Sequence, residues 1–157
     1  MSTLNYTTVN HTTGLLAAVF MLAFIGVAQA DDIGGPIDPE GNVPSFNAVG
    51  AVACFNDGNG KTDRLEASIR DHPSNPFVDG MQVTITAFKG GHAISATDTT
   101  QGDEAGSPVV ELEGGEGVYH MIVNKTRPGR RDVDVVFHCL TASGIHTGTS
   151  ITISHYQ

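Results

Sequence analysis

From Ala48 onward the chain alternates apolar and polar residues in short runs, each ending at Gly, Asn, Asp or Pro. A period of two puts successive side chains on opposite faces of an extended strand. The pattern predicts strands over Ala48–Phe55, Arg64–Arg70, Met81–Lys89, His92–Thr97, Pro108–Glu113, Gly117–Asn124, Asp132–Leu140 and Ile145–His155. Short strands with this punctuation argue for a sandwich or a barrel, and the expectation here is an all-β fold, a single antiparallel β-sandwich over residues 48–157. The Arg64 segment has a second reading: Asp63 followed by Glu66 has the spacing of a capping box and would open a short helix. Alternation of Leu65, Ala67 and Ile69 favours the strand, set against Cys54, Val52 and Gly50 by a turn at Asp57–Gly60. In the last third, Tyr119, Met121 and Val123 face inward on one strand. Val133, Val135, Phe137 and Cys139 do so on the next, across the polar turn KTRPGRR, and Ile151 and Ile153 continue the apolar face.

The residues before Ala48 follow other rules. Leu15 to Ala28 is a nearly unbroken apolar run of about fourteen residues, shorter than the roughly twenty that span a bilayer but matched to a signal-peptide core. Ala28-Gln29-Ala30 supplies the small-x-small pattern of a cleavage site, and Asp31-Asp32 follows. Residues 1–30 are therefore expected to be a signal peptide and the protein to be exported, periplasmic or extracellular, without a stable transmembrane anchor. The leader departs from the usual pattern in having no Lys or Arg before its apolar core. Residues 31–47 (DDIGGPIDPEGNVPSFN) combine Gly, Pro and acids without periodicity and predict a flexible acidic arm.

Charge and cysteine content narrow the partners. The net charge is -9 and every Asp and Glu lies at or beyond Asp31, so the mature surface repels phosphate backbones and nucleic acid is excluded as a natural partner. An unknown protein or a cation fits better. Cys54 and Cys139 are the two cysteines, and in an oxidising compartment they are expected to pair.

Three groupings carry candidate chemistry. Asp57, Asn59, Gly60, Asp63 and Glu66 fall at calcium-loop positions three, five, six, nine and twelve when counted from Phe55. They resemble the DxNGDGxxD-type loops of extracellular calcium-binding repeats. Phe55 stands where that pattern has its first acid, which predicts weak affinity, and the same Asp-Gly and Asn-Gly pairs equally serve a hairpin turn. His120 and His138 share a face of what read as adjacent strands, and a tight Thr141–Gly144 turn brings His146 to them, a set suited to copper or zinc. The same histidines also fit a solvated sheet face. A cupredoxin-like set of His92, Cys139 and His146 lacks the compact loop and the methionine such a site uses.

No GxSxG elbow, HExxH helix or phosphate-cradling loop appears, and the chain is read as no enzyme. Gly115-Glu116-Gly117-Val118-Tyr119 resembles the tyrosine corner of immunoglobulin-like sandwiches. The resemblance implies an immunoglobulin-like fold and carries no function with it. The expected role is a non-catalytic exported binding or structural module. The alternative is a periplasmic metal-ion binding protein holding copper, zinc or calcium. A third idea, a pilus-like subunit, rests on the penultimate Tyr156 and on an arm able to donate a strand.

Overall fold

The computed structural model describes residues 31–72, 78–103 and 105–156, and among them every regular element is a strand. The expected signal peptide lies outside the described residues. The strands are β1 (Asp31–Ile37), β2 (Asn47–Phe55), β3 (Arg64–His72), β4 (Val83–Lys89), β5 (His92–Asp98), β6 (Val110–Glu113), β7 (Gly117–Lys125), β8 (Arg131–Leu140) and β9 (His146–Tyr156). No helix of the described residues is long and apolar enough to cross a membrane.

All pairings are antiparallel, in the order β5-β4-β7-β2-β9-β8-β3-β6, with β1 also on β8. The path is continuous and its ends, β5 and β6, lie beside one another. The architecture is thus a nearly closed, barrel-like sheet with two curved faces rather than two separate sheets. Strand β9 joins the faces: His146 and Thr147 pair with β8, and Gly148 onward pairs with β2. Alternation fills the interior as the sequence predicts, with Val52, Leu65, Ile69, Ile85, Tyr119 and Phe137 all buried. Arg64–His72 is a strand, not a helix.

Strand existence follows the sequence pattern, but pairing does not always follow sequence order. β2 does not pair with β3, which lies between β8 and β6. Nor do β7 and β8 form a hairpin, because the KTRPGRR segment carries the chain from one face to the other. Arg127 and Arg130 within the turn are exposed, but its two ends are not. The Lys125 and Arg131 side chains at its two ends are fully buried, Lys125 Nζ 2.7 Å from Asp38 Oδ2 and Arg131 Nη1 2.9 Å from Asp71 Oδ2. A tight hairpin would hold both cations in water, whereas the crossing lets each meet a buried carboxylate.

The expected flexible arm is corrected in the same way. Asp31–Ile37 forms β1, in register with Phe137–Arg131 on the β8 edge that β9 has left. Gly34 permits the approach, since a side chain there would run into Asp134. Asp38 ends the strand in the left-handed region (φ 48°). Its carboxylate accepts hydrogen bonds from Lys125 Nζ and from the amides of Asn42, Val43 and Gly129. Burial pushes the Asp38 carboxyl up, but Lys125 and these amides outweigh it, so it is held below the ordinary range.

The Cys54–Cys139 disulfide forms as expected, with a Cα–Cα distance of 5.5 Å and both residues buried. It links β2 on one face to β8 on the other across a sequence separation of 85, for which chain entropy gives about 4 kcal/mol. A Cys54→Ala/Cys139→Ala double mutant is expected to lose stability of that order in urea denaturation, and an unchanged midpoint would show that the bridge does not constrain the unfolded chain. Lys125→Met leaves Asp38 buried without its cation and should cost about 3–5 kcal/mol by the same assay. Asp38→Asn/Lys125→Met should recover part of that loss, because no uncompensated charge remains.

Candidate functional site

The proposed calcium loop is organised by its own side chains. Asn56 Oδ1 accepts from the Gly58 and Gly60 amides at 2.8 and 3.2 Å, and Asp57 Oδ1 accepts from Asn59 N at 3.1 Å. Gly58 and Gly60 adopt φ of 110° and 122°, which a turn built on Asn-Asp-Gly-Asn-Gly supplies readily. Asp63 is on Arg64, 3.8 Å away. Glu66 stands on β3 opposite Glu111 and 3.5 Å from Arg64. Burial raises the Glu66 carboxyl above its ordinary value, and Glu111 adds to the rise against the pull of Arg64. Asp57 and Asn59 thus share the turn, Asn59 Nδ2 donating to Asp57 Oδ2 at 3.3 Å, while Asp63 and Glu66 lie against Arg64. Among the described residues, no group of three or more His, Cys, Asp and Glu side chains is arranged to hold a metal ion.

The histidine set divides. His120 sits on β7, stacked on Phe88 with ring centroids 5.2 Å apart, and β7 does not adjoin β8. The register error came from reading KTRPGRR as a hairpin. His138 and His146 do meet, with centroids 4.4 Å apart and planes tilted by 46°. They are brought together where β9 starts on β8, His146 being opposite Leu140. Nδ1 of His138 is buried without a hydrogen-bond partner. Burial first, and His146 second, lower the His138 pKa below 6.5, against a weaker pull from Asp31.

Tyr119 has the geometry its sequence context suggested. Its Oη donates to the Gly115 carbonyl at 2.8 Å, and Lys89 Nζ stands 4.2 Å from the ring centre. Burial, with Asp63 adding, pushes the phenol up to about 12. A phenol raised that far stays protonated near neutral pH.

A second site was not anticipated. Between β1 and the last half of β9 lies an apolar slot of about 230 Å³, walled by Ile33, Ala48, Val123, Val135, Ile151 and Ile153 among others. It reaches the surface beside Ile153 and Tyr156, which are 45% and 48% exposed. A bulge creates part of it: the β2–β9 register shifts at Val49/Gly50, so that Gly50 faces Ile153 and Ala48 faces Tyr156. Strict alternation would turn Tyr156 outward. The bulge instead puts it on the same face as Ile151 and Ile153, edge-on to Phe46 at 5.1 Å. The available signal was the small side chains Ala48 and Gly50 at inward positions, where Val52 and Cys54 continue the register.

Compared with known proteins, the chain matches no family model, no curated relative and no solved structure. Function must be argued from these two sites.

The histidine pair has a pH signature. Unfolded His138 takes up its proton near 6.5, whereas the folded residue resists until lower pH. Between those values the unfolded state binds more protons, so stability is full above about 6.5 and falls as pH drops through that window. With chelator present, the wild type should lose more stability between pH 7 and pH 5 than His138→Gln, measured as urea midpoints. Equal losses would show that His138 protonates freely in the folded protein.

Proposed function

We propose that this chain is a non-catalytic, exported binding module that takes an extended apolar segment or ligand into the slot between β1 and β9. The observation that carries this reading is an apolar slot lying beneath two strand edges that pair with no described residue across it. β1 pairs with β8 on one side, and β9 beyond Thr147 pairs with β2 on one side. Free edges offer backbone donors and acceptors to an added strand, and the slot between them receives alternate side chains. The walls are hydrocarbon with one phenol, which suits binding rather than turnover.

Export is supported by the Ala28-Gln29-Ala30 pattern and by a buried disulfide. Within this barrel-like sheet, a likeness to immunoglobulin-like folds is supported by the Tyr119–Gly115 hydrogen bond and by a disulfide joining opposite faces. Metal-ion binding is a second reading, favoured by the His138–His146 contact.

A neutral phenylnaphthylamine dye is the suitable probe, because an anionic one would be repelled by the acidic surface. It should bind saturably, one per chain. Ala48→Phe, which fills the slot from β2, should weaken binding about tenfold or more without lowering the melting temperature by more than a few degrees. No saturable binding, or equal affinity in the variant, would remove the slot as the ligand site.

A further inference from the structure

The edge of β8 is shared in tandem. β1 lies opposite Arg131–Phe137, β9 lies opposite Cys139 and Leu140, and His138 stands at the junction. Asp31 is the partner of Phe137, so the first backbone nitrogen of β1 is one residue from His138 along that edge. Strand spacing of about 4.8 Å and a rise of about 3.3 Å per residue put this nitrogen within about 6 Å of the His138 backbone. The His146 ring is already against the His138 ring. Side chains alone complete no metal site here, because no third His, Cys, Asp or Glu joins the pair. A main-chain amide that keeps its proton does not supply the missing donor either, because its nitrogen lone pair is delocalised into the carbonyl. A free α-amine does, and cleavage after Ala30 creates one at Asp31.

We propose that removal of the leader completes a Cu(II)-selective site formed by the α-amine of Asp31 and the imidazoles of His138 and His146. The proposal rests on the export reading, which supplies the cleavage. Three nitrogen donors favour Cu(II) over Zn(II) and exclude calcium. The surroundings suit a cation: Glu66 is the cross-strand partner of His138 on its other side. A metal ion would also give the buried Nδ1 of His138, or its ring partner after a flip, a use that no hydrogen bond in the structure provides. Uncleaved chain has an amide in place of the amine, so the site would assemble only in the compartment where the leader has been removed.

The test expresses the full chain with its own leader, recovers the exported protein, and records its intact mass before Cu(II) titration against a competing chelator. The expected results are a chain beginning at Asp31, one Cu(II) per chain, and an electron paramagnetic resonance spectrum of three nitrogen donors. His138→Gln and His146→Gln should each weaken binding about a hundredfold or more, since changes outside the ligand shell already cost about 10–100-fold. A serine inserted between Ala30 and Asp31 displaces the amine and should weaken binding at least about tenfold, while the metal-free melting temperature stays unchanged. An exported chain beginning elsewhere would overturn the site and leave export standing, whereas a full-length chain retained in the cell would overturn the export reading and the site together. Cleavage at Asp31 with affinity unchanged in His138→Gln would overturn the site alone and leave export standing. Affinity unchanged by the inserted serine would remove the amine as a ligand and overturn the proposal as well.

Discussion

Strand β9 can serve one neighbour at a time on the edge it shares with β8, and much of the structure follows from that. It pairs with β8 through His146 and Thr147, then turns to β2 for the rest of its length. Gly148 stands at the departure, packed so closely under the Phe55 ring that a side chain would run into it. Turning away carries the sheet from one face to the other and makes the barrel nearly continuous. It also vacates seven residues of the β8 edge, which β1 occupies. The gap left between β1 and the rest of β9 is the apolar slot, and the point where one strand hands over to the other is His138.

A sheet closed on one side and open on the other needs ties across its interior. This chain has few aromatic residues and no tryptophan, so hydrophobic burial falls on Val, Ile, Leu, Ala and a few rings. The disulfide ties the faces near one end. At the other end Asp38–Lys125 does so with fully buried charge, while the equally buried Asp71–Arg131 pair joins the neighbouring strands β3 and β8 of one face. Buried pairs of this kind contribute little net stability compared with well-packed hydrocarbon. They are unforgiving of mispairing, however, since a barrel closed in the wrong register would leave four charges without partners. Their position at the crossing from β7 to β8 and at the end of β1 puts that penalty on the two connections that decide the topology.

These connections are also where sequence reading stopped working. Alternation located the strands from β2 to β9 because each has one buried face, and it assigned Tyr119, Met121, Val133, Val135 and Phe137 to the interior. The disulfide was legible because the chain has two cysteines and a leader-like segment from which an oxidising compartment, and hence pairing, is expected. Pairing order was not, since polarity does not distinguish a solvated turn from one whose lysine and arginine reach buried carboxylates. β1 was missed because Gly-Gly-Pro on an outer edge erases alternation, while an edge strand tolerates all three. Of the candidate sites, His138–His146 survived because both lie on the outer face of a correctly read strand junction. His120 separated from them with the hairpin that did not form. The slot depended on a one-residue bulge at the Val49/Gly50 register shift, a feature that changes the facing of Tyr156 without changing composition.

Both sites share β1, and its attachment is uneven. The C-terminal end is held by buried Ile37 and by Asp38, whose carboxylate binds one cation and three amides. The N-terminal end has Asp32 and Gly34 toward solvent, and is held by the β8 ladder and by the half-buried Ile33 against the core. Terminal segments with few buried contacts open at the lowest free energy, so once the proposed leader is removed β1 is expected to detach from Asp31 inward, hinged at Asp38. Such opening would widen the slot at Ile33 and at the same time carry Asp31 away from His138. A ligand that fixes either position pays the ordering entropy of the same strand, so the second to bind pays less. Coupling between the slot and the histidine pair would then need no conformational signal through the core. The strand itself is the element both would order.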